Sequence, residues 1–179
     1  CFKDWYVYKW EVGNIMGYGI ENLGNNYRID KKHIYGFVCG GAAGGAPFDT
    51  IDYFDMTILT GNASDRGNLI VGKQQMAGLT GTIYGFLCGG AHNGAGNVAT
   101  IDYIDLNILT GNAADKGDLA VGRQDTAGIS SDNIYGFICA GNNGVAVSNV
   151  VEYLDLIIVS SNSIDRGDLT QARQDCRGV

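Results

Sequence analysis

The stretch "IDYFDMTILTGNASDRGNLIVGKQ" from Ile51 to Gln74 returns as "IDYIDLNILTGNAADKGDLAVGRQ" from Ile101 to Gln124. It returns again, loosened, as "VEYLDLIIVSSNSIDRGDLTQARQ" from Val151 to Gln174. The period is 50 residues. Asp52, Asp102 and Glu152 align, as do Tyr53, Tyr103 and Tyr153; Asp65, Asp115 and Asp165; Gly67, Gly117 and Gly167; and Lys73, Arg123 and Arg173. A second phrase precedes each copy: "IYGFVCGG" at Ile34–Gly41, "IYGFLCGG" at Ile83–Gly90 and "IYGFICAG" at Ile134–Gly141, slipped by one residue in the middle. In such a chain each repeat is one supersecondary unit that buries its apolar faces only against its neighbours.

Within a repeat the period is two. "TIDYIDLNIL" sets Ile101, Tyr103 and Asp105 on one side and Asp102, Ile104 and Leu106 on the other, and it is rich in β-branched and aromatic residues. "IYGFLC" reads as a second strand, closed by a glycine pair (Gly40 and Gly41, Gly89 and Gly90, with Gly141 alone in the third copy) that permits a tight turn. "TGNAADKGDLAVGR" supplies turn residues and another short strand, and "TAGIS" a fourth. No stretch has helical periodicity. The expectation is an all-β chain of about three and a half units. Residues 1–33 form a degenerate half repeat, 34–82 the first full repeat, 83–133 the second and 134–179 the third, all in one domain. "GNIMGYG" at Gly13–Gly19 echoes "GNAADKG" at Gly111–Gly117, and "DWYVYKW" alternates like a strand. A chain that starts at Cys1 is expected to be a fragment or a processed product.

With 45% hydrophobic and 17% charged residues the sequence is too apolar for disorder, and its 28 glycines follow no triplet. No apolar run approaches the roughly 20 residues that cross a bilayer. Net charge is −7 and the 12 Lys and Arg are scattered, which disfavours phosphate backbones. Cys39, Cys88 and Cys139 hold equivalent places, so they point alike and are expected to be buried free thiols rather than disulfide partners. Free thiols fit folding in a reducing compartment.

Four short strands per unit, the phrase "IYGFxCGG", a strand ending in Tyr-x-Asp and a lone Arg together resemble the kelch repeat of galactose-oxidase-like β-propellers, over Ile34 to Val179. The Trp usual in the fourth strand is replaced by Leu69, Leu119 and Leu169. "TGNAADKGDLAVGRQDTAGISSDNIYGF" is similar to divergent kelch-like repeats of tailed-phage, tail-associated structural proteins. The resemblance implies four-stranded antiparallel propeller blades. Because such rings usually close with more blades, it also implies completion by further copies, by the rest of a longer chain, or by a four-blade ring.

The chemical signals have plainer readings beside them. Asn112, Asp115 and Asp118 place oxygens at calcium-loop spacing, but a terminal Glu is missing and turn formation explains them. Ser163–Gly167 is similar to the Asp-box turn of sialidases, itself structural, without the arginine cluster their chemistry needs. The repeated Tyr could stack on sugars or pack between units. Lys73, Arg123 and Arg173 could pair with Asp65, Asp115 and Asp165 or with the adjacent unit. His33 and His92 occupy unrelated positions, which gives no copper site, and no metal or cofactor is expected. What differs among the units is the loop after the glycines, so Phe48, His92, Asn93, Asn142 and Asn143 are the candidate binding residues.

The functional expectation is a non-enzymatic structural protein of a phage virion. It would be assembled in the host cytoplasm, would serve tail assembly or host-surface recognition, and would contact other virion proteins or a host glycan or protein. The alternatives are a cellular kelch-type protein-interaction module, cytoplasmic, and a glycan-binding or carbohydrate-active propeller. Neither nucleic acid nor membrane insertion is expected.

Overall fold

The computed structural model describes residues 18–23, 26–31, 34–93, 96–131 and 134–179. Of the expected N-terminal half repeat it describes one hairpin, β1 (Tyr18–Leu23) paired antiparallel with β2 (Asn26–Lys31). Cys1, His33 and the rest of residues 1–33 lie outside the described residues.

The chain is all-β, as its period of two requires. The first sheet has three strands, β3 (Tyr35–Cys39), β6 (Thr50–Asp55) and β7 (Ser64–Asn68), with the small hairpin β4 (Ala42–Ala43) and β5 (Ala46–Pro47) between the first two. The second is a four-stranded antiparallel meander of β8 (Ala77–Thr80), β9 (Tyr84–Cys88), β12 (Thr100–Asp105) and β13 (Ala114–Asp118). It carries the hairpin β10 (Ala91–His92) and β11 (Gly96–Asn97). The third repeats that order with β14 (Ala127–Ser131), β15 (Tyr135–Cys139), β16 (Val150–Asp155) and β17 (Ile164–Asp168).

The kelch-like propeller is corrected here. Among the described residues the sheets remain small and separate, none curled into a propeller blade and none closed into a barrel or ring. The physical reason lies in what each face touches. Each sheet packs on the next one along the chain: Ile51 of the first meets Ile104 of the second, and a side chain at Gly128 of the third would run into the carbonyl of Gly78 of the second. Among the described residues no sheet of this kind precedes the first. Phe54 and Met56 of the first sheet are 43% and 51% exposed, where Ile104, Leu106, Leu154 and Leu156 at the same positions are 6% exposed or less. A closed ring would have covered that face as fully as the inner ones.

Most of the core lies in the two seams, and a third cluster within the third unit joins Ala127, Cys139, Ala140 and Val151, with Phe137, Leu169 and Cys176 packed against them. Phe37, Ile51 and Leu69 of the first sheet meet Ile104 and Leu106 of the second. Phe86, Cys88, Ile101 and Leu119 of the second meet Ile138, Leu154 and Leu156 of the third. Strands β12 and β16 bury residues on both faces: Asp102 and Glu152 face the preceding unit, while Ile101 packs in the second seam and Val151 in the third unit's own cluster.

Candidate functional site

The partner of each long strand carries a β-bulge at the same place, facing the step from Ile51 to Asp52, from Ile101 to Asp102 and from Val151 to Glu152. There the register skips one residue of the partner strand: Arg66, Lys116 and Arg166 respectively. A bulge leaves its extra residue out of the ladder and re-aims it. The following glycine takes a positive φ (144° at Gly67, 138° at Gly117, 125° at Gly167), which a side chain would resist. The aspartate before it, Asp65, Asp115 or Asp165, accepts a hydrogen bond at 2.8 to 2.9 Å from that glycine's N–H. The repeated Asp-x-Gly is the clamp of a bulge whose product is an outward-pointing cation.

Two of these cations are spent on the next unit. Arg66 donates from Nε to Ile108 O at 2.9 Å, from Nη1 to Gly111 O at 2.6 Å and from Nη2 to Asp105 O at 3.3 Å. Lys116 donates from Nζ to Ile158 O at 2.6 Å and to Ser161 Oγ at 2.9 Å, and lies 5.5 Å above the centre of the Phe86 ring. Burial lowers the pKa of both groups. Beside each cation an Asn completes the contact: Asn112 Oδ1 accepts from Asn68 N–H, and Asn162 Oδ1 from Asp118 N–H, both at 3.0 Å. The turn residues Asn112 and Asp115 are therefore committed to backbone donors.

Deeper in each seam lies an ion pair. Lys73 Nζ is 2.9 Å from Asp102 Oδ1, both side chains fully buried. The ammonium also donates to Leu87 O and Thr100 O, and Asp102 Oδ2 accepts from Ile70 N–H at 3.0 Å. Arg123 Nη2 lies 2.8 Å from Glu152 Oε2, with Ala120 N–H on Oε1 at 2.9 Å. That contact is an ion pair without hydrogen-bond alignment, and Arg123 Nε has no acceptor. Of the two partners open to the repeated cation in the sequence, the adjacent unit supplies it and Asp65 and Asp115 do not. Arg173 is exposed, with only a 3.4 Å contact from Nε to Gln171 O.

The candidate binding residues sit on the edge where β4–β5, β10–β11 and residues 141–149 emerge. Phe48 is 46% exposed. His92 Nδ1 lies 2.6 Å from Gly72 O, and Asn93 is exposed. Asn142 Nδ2 donates to Gln174 Oε1, while Asn143 Oδ1 accepts from Val145 and Ala146 N–H. These loops follow the left-handed residues Gly40, Gly89 and Ala140, with Gly41, Gly90 and Gly141 also at positive φ. They are stitched to the preceding unit by the bridges Gln74–Ala91 and Gln124–Asn142. The residues share an edge without converging on a common centre. A polar groove of about 500 Å³ runs past Gln75, Asp125 and Asp175, the same position in three units.

Tyr53, Tyr103 and Tyr153 each stand edge-on to a neighbouring Tyr (Tyr35, Tyr84, Tyr135), with centroids 5.5 to 5.8 Å apart, and tilt against Phe37, Phe86 and Phe137. This is packing within each sheet. Cys39, Cys88, Cys139 and Cys176 are free thiols. Burial pushes the Cys88 thiol up to about 12 and Cys39 to about 11, which leaves them protonated and unreactive near neutrality. Among the described residues no three His, Cys, Asp or Glu side chains are grouped so as to hold a metal ion.

A scan against protein-family models and a search of the curated proteins found no match to the chain. The residues that sequence reasoning passed over are Arg66, Lys116 and Arg166, and the seam role of Asp102 and Glu152. The signal was present: a cation and an acid recur at fixed places in every unit.

Proposed function

We propose that the chain is a non-enzymatic structural element, a stack of units whose seams serve assembly and whose divergent loops serve recognition. The observation that carries this reading is the use of charge. The buried acids and cations of the inner units are matched across seams, Lys73 to Asp102 and Arg123 to Glu152, and so hold architecture. What varies from unit to unit is the exposed loop edge, with Phe48, Val145 and Val147 at 46%, 94% and 41% exposure. A rigid frame with variable apolar loops on one edge suits contact with a macromolecule. The setting proposed is a tailed-phage virion assembled in the host cytoplasm, with other virion proteins, and a host-surface glycan or protein, as partners. The setting rests on the phrasing of the repeats and not on the fold.

The test is to look for the polypeptide, by mass spectrometry of denatured material, in particles purified from its source. Recovery at fixed stoichiometry with the other particle proteins is expected. Recovery only from the particle-free fraction would refute the setting. Replacing Phe48, Val145 and Val147 by Ser is expected to abolish capture by its partner surface while the seams stay folded.

A further inference from the structure

Among the described residues, only the third unit brings two thiols into one cluster. Cys139, the last residue of β15, is buried with Ala127, Ala140 and Val151, and Cys176 packs against the same group. The Cys139 thiol is held above its ordinary pKa first by burial and next by the nearness of Cys176. The juxtaposition is built by the repeat itself. In the first unit the equivalent residues, Cys39 and Met76, also share a cluster. There the Met76 Cε lies 2.5 Å from where a methyl on Gly40 would stand, so a side chain at this position reaches the end of the "IYGF" strand. A thioether cannot form a disulfide, and the second unit has Thr126 at this position. The two thiols of the third unit differ in access. Cys139 is 7% exposed, whereas Cys176 is half-buried and lines the polar groove of about 500 Å³ beside Asp125, Asp175 and Arg177.

We propose that Cys139 and Cys176 are a redox pair, closed to an intrachain disulfide by a low-molecular-weight disulfide of the glutathione class. The Cys176 thiolate attacks one sulfur of the oxidant, whose S–S bond breaks. A mixed disulfide forms on Cys176, and the departing thiolate takes up the proton that Cys176 gave to solvent. Cys139 then loses its proton and attacks the Cys176 sulfur, expelling the second half of the oxidant as a thiol. The chain gives up two electrons and two protons, and the oxidant becomes two thiols. Burial keeps Cys139 protonated and inert toward outside reagents, so it reacts only with a mixed disulfide formed beside it. A glutathione-poised cytoplasm holds such a pair reduced, and an oxidising medium closes it. The bond ties the groove wall at Cys176 to the end of β15, at the root of the loop that carries Asn142 and Asn143. It braces that loop whatever the loop binds.

The test takes the full 179-residue chain, reduced and freed of reductant, and holds it folded in oxidised glutathione. Remaining thiols are then alkylated in urea and the peptides mapped by mass spectrometry. A linked pair of peptides carrying Cys139 and Cys176 is expected, about 2 Da lighter than the two thiol peptides together. Cys39 and Cys88 are expected to be alkylated as thiols. Cys176→Met, which gives the third unit the residue the first unit has there, is expected to leave Cys139 a thiol under the same treatment. A glutathione adduct that persists on Cys176 would overturn the proposal, by showing that Cys139 does not reach it. So would a bond from Cys176 to any other cysteine, or a chain in which both residues stay thiols.

Discussion

With both side chains of Lys73 and Asp102 removed from water, the cost of dehydrating an ammonium and a carboxylate falls on the contacts they make inside. Those contacts are nearly complete, since Lys73 has three oxygen acceptors besides Asp102, and Asp102 holds the Ile70 amide with its second oxygen. Removing one partner strands the other. Asp102→Asn is therefore expected to cost about 3–5 kcal/mol in urea unfolding, while Lys73→Met combined with Asp102→Asn recovers most of that loss. If the double variant lost the sum of the single losses, the two side chains would not be acting as a pair.

The cysteines give a second residue-scale prediction. A thiol in the unfolded chain ionises near its ordinary 9.0, whereas folded Cys88 holds its proton to about 12 and Cys39 to about 11, chiefly because burial penalises the thiolate. The folded pKa is raised, so the stabilisation from keeping these thiols neutral is whole below pH 9 and is lost as pH rises toward 12. Cys88→Ala is expected to flatten the decline of unfolding free energy over that interval. An unchanged slope would mean that other groups dominate it. At neutral pH, alkylation of Cys88 should require unfolding, while the partly exposed Cys176 reacts in the folded chain.

At the scale of the element, the left-handed turn after each "IYGF" strand shows how a repeat tolerates variation. Gly89 sits at φ 65°, and a methyl there would lie 2.6 Å from Arg123 O and 2.9 Å from Leu119 Cδ1. Gly89→Ala is thus expected to cost about 1–3 kcal/mol from the backbone conformation, with the clash added, read as a fall in the urea midpoint. The third unit already carries Ala140 at φ 63° in this position. There Ala140 is buried with Leu169 and Cys176 packed against its cluster, but the segment from Leu169 onward is half-buried or exposed, whereas Leu119 beside Gly89 is buried.

The same elements show what was legible in the sequence. Alternation and β-branched content place the "IYGF" strands and the long strands β6, β12 and β16, and the 50-residue period repeats them, because both depend only on neighbours along the chain; β7, β13 and β17 instead fall on the Asp-x-Gly phrase that reads as a turn, and no strand forms on the residues just after it. Asp65, Asp115 and Asp165 were readable as turn residues for the same reason. The bulge was not, since skipping Arg66 depends on how β6 registers against β7. Nor was the pairing of Lys73 with Asp102, which are 29 residues apart and meet only after two sheets have stacked. Ring closure failed at a still larger distance. The repeat specifies the step from one unit to the next, and nothing in a single step states that the last unit returns to the first.

For the whole molecule, stability should follow the number of seams each sheet shares. In stacked repeats each unit is held by its intrinsic stability and its neighbour interfaces. The second sheet lies in both seams, which is why Phe86, Cys88 and Ile101 are fully buried while Val38 of the first sheet is 57% exposed. Amide hydrogen exchange should accordingly be slowest in β9 and β12, intermediate in β15 and β16, and fastest in β3 and β6, where Phe54 and Met56 face outward. Uniform protection would mean that the units open together and that the seams do not set local stability.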